Sequence, residues 1–262
     1  MVEKALIFYR KFFRRKTYGW SGNYPNWQQA QQKCTGYDAA NILTKVKTSI
    51  LKVKNGDAVF EKDSVLFYKA TYSYPLLSTV LWVALKNDNK ISVIDYGGSL
   101  GSTYFQHKKI LDDIKNLHWN IVEQKGFVEA GRNDIQDDKL QFFSTIKEAH
   151  TTHPADLLII SCAIQYMAQP YSLIAALVQF NFPYILIDNT PYNYKILDRI
   201  TVQKVPPAIY TASYPCWFLD YEKVKQAFAG KYSLASEYDN EDVIDLDGRK
   251  IRYRGFLMQL KK

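Results

Sequence analysis

The stretch Ile91-Ser-Val-Ile-Asp-Tyr-Gly-Gly-Ser-Leu-Gly101 restricts the fold of this chain more than any other part of it. An apolar run that ends in an acid and a glycine-rich turn predicts a buried parallel strand, a tight turn and then a helix. Ile91, Val93 and Ile94 supply the strand, and Asp95 stands at its carboxyl end. Gly97, Gly98 and Gly101 let the backbone come close to a ligand. A glycine turn alone does not say which cofactor it holds, so its neighbours must decide.

Those neighbours repeat the pattern. Strand candidates at 91–95, 119–123, 139–143, 156–161 and 183–188 alternate with stretches long enough for crossover helices. Such alternation predicts a parallel sheet with helices on both faces. A helix over Tyr221 to Ala229 follows, then two final strands, Tyr232 to Tyr238 and Arg252 to Leu260, joined by a turn at Asp245-Leu-Asp-Gly-Arg249. Seven strands with a closing hairpin differ from a six-stranded dinucleotide domain. They predict an α/β fold with the Rossmann-like seven-stranded methyltransferase sheet over residues 90–262. Residues 1–89 read as an N-terminal helical cap, because Trp27 to Cys34, Asp38 to Lys52 and Tyr74 to Leu85 carry apolar residues at three and four spacing. The segment between Lys54 and Phe67 reads as a connection.

With 262 residues, 47% of them apolar, the chain can bury a substantial core. It has no apolar run near the roughly 20 residues that a membrane-crossing helix needs, and a cytoplasmic location is expected. The net charge is +8, and residues 1–20 hold six Lys or Arg against one Glu. Residues 5–16 mix large apolar and basic side chains, which suits either peripheral contact with an anionic membrane surface or a solvated basic helix packed on the core. Cys34, Cys162 and Cys216 are far apart, and His150 and His153 lack further ligands at metal spacing, so no metal site is expected.

In an open parallel sheet, ligands bind beyond the carboxyl ends of the strands, near the switch in strand order. The turn Gly97-Gly-Ser-Leu-Gly101 follows the D-x-G-x-G-x-G pattern of S-adenosylmethionine enzymes, with Ser99 in place of the middle glycine. Asp95 would repel a pyrophosphate and suits the amino group of S-adenosylmethionine. Glu123 ends the second strand, where a carboxylate can accept two ribose hydroxyls, and Gln124 can read the ribose or the adenine edge. Phe142, at the end of the third strand, either flanks an adenine ring or packs in the core. Ser161 and Gln165 form a floor under the cofactor, and Tyr166 either faces the cleft or starts a helix core face. Within the cap, Ser64 or Tyr68 either holds the methionine carboxylate or packs between domains.

Several strings bear a family resemblance, among them Trp20-Ser-Gly-Asn-Tyr-Pro-Asn-Trp27, Cys34-Thr-Gly-Tyr-Asp38, Phe60-Glu-Lys-Asp-Ser-Val65, Val122-Glu-Gln124, Ile164-Gln-Tyr166, Ile187-Asp-Asn-Thr-Pro191 and Ala212-Ser-Tyr-Pro215. With the glycine turn, in this order, the chain resembles the class I methyltransferases often encoded among genes for bacterial surface polysaccharides. The resemblance implies an S-adenosylmethionine fold and a sugar or glycan-related acceptor. Methyl transfer to a hydroxyl needs alignment and a base. Asp188 is the expected base, unless it caps the following turn, with Tyr166 and Tyr214 orienting the acceptor. Residues 210–217 are expected to belong to the acceptor site. Two other classes stay open. A nicotinamide-dependent sugar oxidoreductase would use a Tyr-x-x-x-Lys pair, a spacing that Tyr221 and Lys225 have. A membrane- or RNA-binding module would use the basic start, although no RNA-binding motif accompanies it.

Overall fold

A computed structural model describes residues 18–35, 39–207, 209 and 211–262. The basic stretch 5–16 and the expected helix start at Asp38 lie outside them. The chain opens with strand β1 (Gly19–Tyr24) and helices α1 (Trp27–Gln31) and α2 (Ala39–Lys54). A short hairpin follows, β2 (Phe60–Lys62) and β3 (Val65–Phe67), and then helix α3 (Tyr74–Leu85). The alternating part runs β4 (Lys90–Tyr96), α4 (Ser102–Leu111), β5 (Asn116–Val122), α5 (Lys125–Ala130), β6 (Leu140–Phe143), α6 (Ile146–Thr152), β7 (Leu157–Ser161), α7 (Pro170–Leu177) and β8 (Tyr184–Pro191). It closes with β9 (Arg199–Lys204), β10 (Ser213–Phe218), α8 (Tyr221–Phe228), β11 (Tyr232–Leu246) and β12 (Arg249–Leu260).

The main sheet has seven strands in the order β11-β12-β8-β7-β4-β5-β6. Strands β4 to β8 are mutually parallel, and β12 enters antiparallel between β8 and β11. The strand order reverses between β4 and β7, so the ligand crevice lies beyond their carboxyl ends. Val93, Ile94, Leu158 and Ile159 are fully buried because helices cover both faces of the sheet. One apolar core packs α2, α3 and α4 on one face. A second holds α7 and α8 on the other.

Residues 18–89 are not purely helical. Strand β1 pairs with β9, and β10 pairs with the other side of β9, giving a separate three-stranded antiparallel sheet. The start of the chain is thereby stitched to an insertion between β8 and α8. Of the 210–217 segment expected at the acceptor site, residues 213–217 lie in strand β10; Pro215 is tolerated because β10 is an edge strand. The expected connection before Phe67 contains the β2–β3 hairpin. Its two-residue turn puts Asp63 at φ 51° and Ser64 at φ 66°, the left-handed pair of a type I′ turn. The closing hairpin is longer than expected, since β11 and β12 stay paired up to Leu246 and Arg249. Among the described residues, no helix is long and apolar enough to cross a membrane.

Candidate functional site

The crevice is built on the turn after β4. Asp95 is 1% exposed and accepts a hydrogen bond from the Trp119 indole N–H at 3.1 Å. Its carboxyl lies directly beneath Gly98, where a Cβ would come within 2.5 Å of it. Asp95 therefore supports the turn from below. A Cβ on Gly97 would come 2.9 Å from the Ala163 Cβ, so this turn and the one after β7 are in contact. Ser99 stands where the pattern has a glycine and adopts the left-handed conformation, φ 56°. Its N–H donates to Glu123 Oε1 at 3.2 Å, and the Gln124 N–H donates to Glu123 Oε2 at 2.8 Å. Glu123 thus joins the β4 turn to the end of β5, while the Gln124 side chain is exposed.

Beyond β7, Ser161 Oγ donates to Asp188 Oδ2 at 2.8 Å. Asp188 is 1% exposed, and its Oδ1 also receives the Tyr238 hydroxyl at 2.8 Å and the Asn240 amide at 3.1 Å. This carboxylate ties the closing hairpin to the parallel sheet. With three donors already in place, it meets an acceptor's proton only where Tyr238 or Asn240 gives way. Gln165 is fully buried. Its amide donates to Cys162 Sγ at 3.3 Å, and its Oε1 has no partner. Tyr166 and Tyr214 do meet, ring edge to face at 5.2 Å, and the Tyr166 hydroxyl donates to Gln203 Oε1 at 2.9 Å. Phe142 is 1% exposed and packs beneath Gly131, which makes it a core residue with no ring face for an adenine. Tyr68 projects into solvent, 70% exposed. Ser64 offers its N–H to Glu61, and its buried Oγ has no partner.

Glu61 and Lys62 give no sign in the sequence beyond their place in the Phe60–Val65 string, and Asp242 gives none at all. Glu61, 2% exposed, accepts the Ser64 N–H at 2.8 Å and the hydroxyl of Ser102, the first residue of α4. Lys62 pairs with Asp242 at 2.7 Å, and Asp242 also accepts the Asn189 amide. The cap hairpin and the closing hairpin thus clasp each other over the carboxyl ends of the strands.

The charge of this rim is opposite to that of the chain. Asp95, Glu123, Asp188, Glu61, Asp63 and Asp242 gather around it, with Lys62 among them. Burial pushes the Asp95 carboxyl up to about 7, against the Trp119 hydrogen bond, and the charges of Glu123 and Asp188 push the same way. Burial also raises Glu61, Asp63 and Glu123. Burial opposes ionisation of Asp242 too, but the Lys62 bond outweighs it and holds that carboxyl below its usual range. The Cys162 thiol is pushed by burial up to about 12, so it stays neutral and is no nucleophile. An acid-lined crevice in a basic chain suits a ligand with positive charge and disfavours a pyrophosphate. Tyr221 and Lys225 are both engaged by Glu237, at 2.8 and 3.1 Å.

The sheet order, with one reversed strand between the fifth parallel strand and the edge, is that of the Rossmann-like class I methyltransferase fold. The glycopeptide N-methyltransferase MtfA, solved with sinefungin, has a TM-score of 0.50 to this chain at 10% identity, covering 81% of this chain and 96% of its own. The N-terminal domain of EvdMO1, solved with SAH and D-fucose, gives 0.49 at 10% identity, over 86% and 98%. A SAM-dependent methyltransferase from Methanosarcina mazei gives 0.49 at 10% identity, over 72% and 99%. No family model matches the chain, and neither does any curated protein sequence.

Proposed function

We propose that the protein is an S-adenosylmethionine-dependent methyltransferase that O-methylates a sugar or glycan-related acceptor, in the making of a cell-surface polysaccharide. The observation that carries the cofactor reading is the acid-lined rim around a glycine turn whose Gly98 leaves no room for a Cβ above Asp95. S-adenosylmethionine is a cation at the sulfonium and at the amino group, and it supplies an electrophilic methyl. The residues present fit it. The Gly97–Gly101 turn lets backbone approach, Glu123 keeps lone pairs that a ribose would use, and the unpartnered Gln165 Oε1 can receive a donor. Tyr166, Tyr214 and Gln203 supply hydroxyl and amide groups for an acceptor rich in hydroxyls. The acceptor class rests on this polar aromatic cluster and on the sequence resemblance. Catalysis then consists mainly of alignment and exclusion of water, with Asp188 fixing the closing hairpin over the crevice.

Calorimetry with S-adenosylmethionine and with NAD tests the cofactor. Binding of the first alone is expected, and binding of NAD alone would sink the proposal.

Asp95 adds a pH signature. In the free protein, its carboxyl is protonated below about 7. A bound cation favours the ionised form, so binding below that pH must release a proton. Affinity for S-adenosylmethionine is expected to rise with pH up to about 7 and level off above it, since there the proton has already left. Titrations in buffers of different ionisation enthalpy measure the released proton directly. A flat affinity between pH 6 and 8, with no dependence on buffer, would remove Asp95 from this linkage.

A further inference from the structure

We infer that Asp63, at the tip of the β2–β3 hairpin, is the counter-charge for the methionine ammonium of the bound cofactor, which makes the hairpin a wall of the cofactor site. This inference rests on the methyltransferase reading and adds to it a residue outside the sheet.

Three observations locate the tip of the hairpin that carries Asp63. Two residues before it, Glu61 binds the Ser102 hydroxyl, which anchors the hairpin at the first residue after the glycine turn. Asp63 itself lies close enough to Cys162, just past the end of β7, for its charge to act on that thiol. Ala163, the next residue, touches the glycine turn at Gly97. The tip of the hairpin therefore stands over the junction of the β4 and β7 turns.

The chemistry of the tip calls for a cationic partner. Asp63 is open to solvent at its side chain, yet enough protein surrounds it for burial to raise its pKa. Among the described residues, its carboxylate forms no hydrogen bond or ion pair. Its nearest cation, Lys62, is committed to Asp242 at 2.7 Å. The other acids of the tip are taken, since Glu61 holds Ser64 and Ser102, and Asp242 holds Lys62 and Asn189. An exposed carboxylate with no protein partner can meet a cation without first giving up a contact, and a charge-assisted hydrogen bond is stronger than a neutral one. An ammonium held over the glycine turn supplies both the donor and the charge.

The test uses the full chain and three probes: S-adenosylmethionine, S-adenosylhomocysteine and methylthioadenosine, which lacks the amino-acid end. In Asp63→Asn, the first two are expected to bind about 10- to 100-fold more weakly, with methylthioadenosine unchanged. Asp63→Glu keeps the charge and recovers part of the loss. Asparagine tolerates the left-handed turn as aspartate does, so the thermal midpoint should hold. Equal effects on all three probes, or none on any, would overturn the role of Asp63 while leaving the methyltransferase reading intact. A wild-type protein that binds none of the probes would overturn both.

Discussion

Gly98→Ala is expected to abolish useful cofactor binding and to destabilise the fold. The new methyl would lie 2.5 Å from the Asp95 Cγ and 2.6 and 2.9 Å from its oxygens. Asp95 cannot retreat, because it is fully buried and bonded to Trp119, itself 0% exposed. The turn must therefore lift. Overpacking of this kind costs about 1–3 kcal/mol, and a misplacement near 1 Å at a binding site costs about 100-fold in function. Thermal unfolding and calorimetry with S-adenosylmethionine measure the two effects. Gly230→Ala is the control, since a Cβ there meets nothing within 4 Å, and a change within about 0.5 kcal/mol is expected. Asp95→Ala removes the clashing atoms, so the double variant should be more stable than the sum of the single losses predicts. If Gly98→Ala behaves like Gly230→Ala, the close approach of Asp95 to the turn is wrong.

Strands β7 and β8 are legible because they are buried on both faces and so carry continuous apolar runs, Leu157-Leu-Ile-Ile160 and Ile185-Leu-Ile187, and β4 to β6 because their apolar residues are interrupted only by single polar ones. The glycine turn, Glu123 at the end of β5 and the closing hairpin follow from the same pattern. What escaped either lacks the usual local signal or depends on pairings between distant residues. The hairpin turn at Asp63-Ser64 has a type I′ geometry without the glycine that normally announces it. Strand β1 exists only because residues 199–204 lie beside it, a partner that no local pattern specifies. Glu61 meets Ser102 across 41 positions of sequence. Asp188 is legible as the end of the expected strand 183–188, yet β8 runs on to Pro191, and of its three donors Ser161 ends β7 while Tyr238 and Asn240 reach it from β11, which continues with a bulge past the expected end at Tyr238. The sequence resemblance to methyltransferases agrees with the fold, and the acid rim on which the cofactor proposal rests emerges only once the hairpins are folded over the sheet.

Asp188→Ala should be the most destabilising single change at the crevice. It leaves the Ser161 hydroxyl, the Tyr238 hydroxyl and the Asn240 amide without their common acceptor. Each stranded donor costs about 1–3 kcal/mol if it stays buried, and partial rewetting brings the expected total to about 3–5 kcal/mol. The loss should be local first. Burial, reinforced by the charge of Asp188, pushes the Tyr238 phenol far above its ordinary value, so it stays protonated and donates. Its ring lies over Gly255, where a Cβ would come within 2.4 Å of it. Once Asp188 is gone, nothing draws Tyr238 and Asn240 toward the sheet, and amide exchange should accelerate at 238–242 before it does in β4 or β7. Asp188→Asn separates structure from chemistry. It keeps an acceptor oxygen for Tyr238, and Ser161 can rotate its hydroxyl to accept the new amide, so most of the stability should remain. If methyl transfer disappears in Asp188→Asn while stability and cofactor binding persist, the carboxylate takes the acceptor's proton after Tyr238 or Asn240 moves aside. If transfer persists, Asp188 acts only as the tie between hairpin and sheet. Wild-type stability in Asp188→Ala would contradict the tie itself.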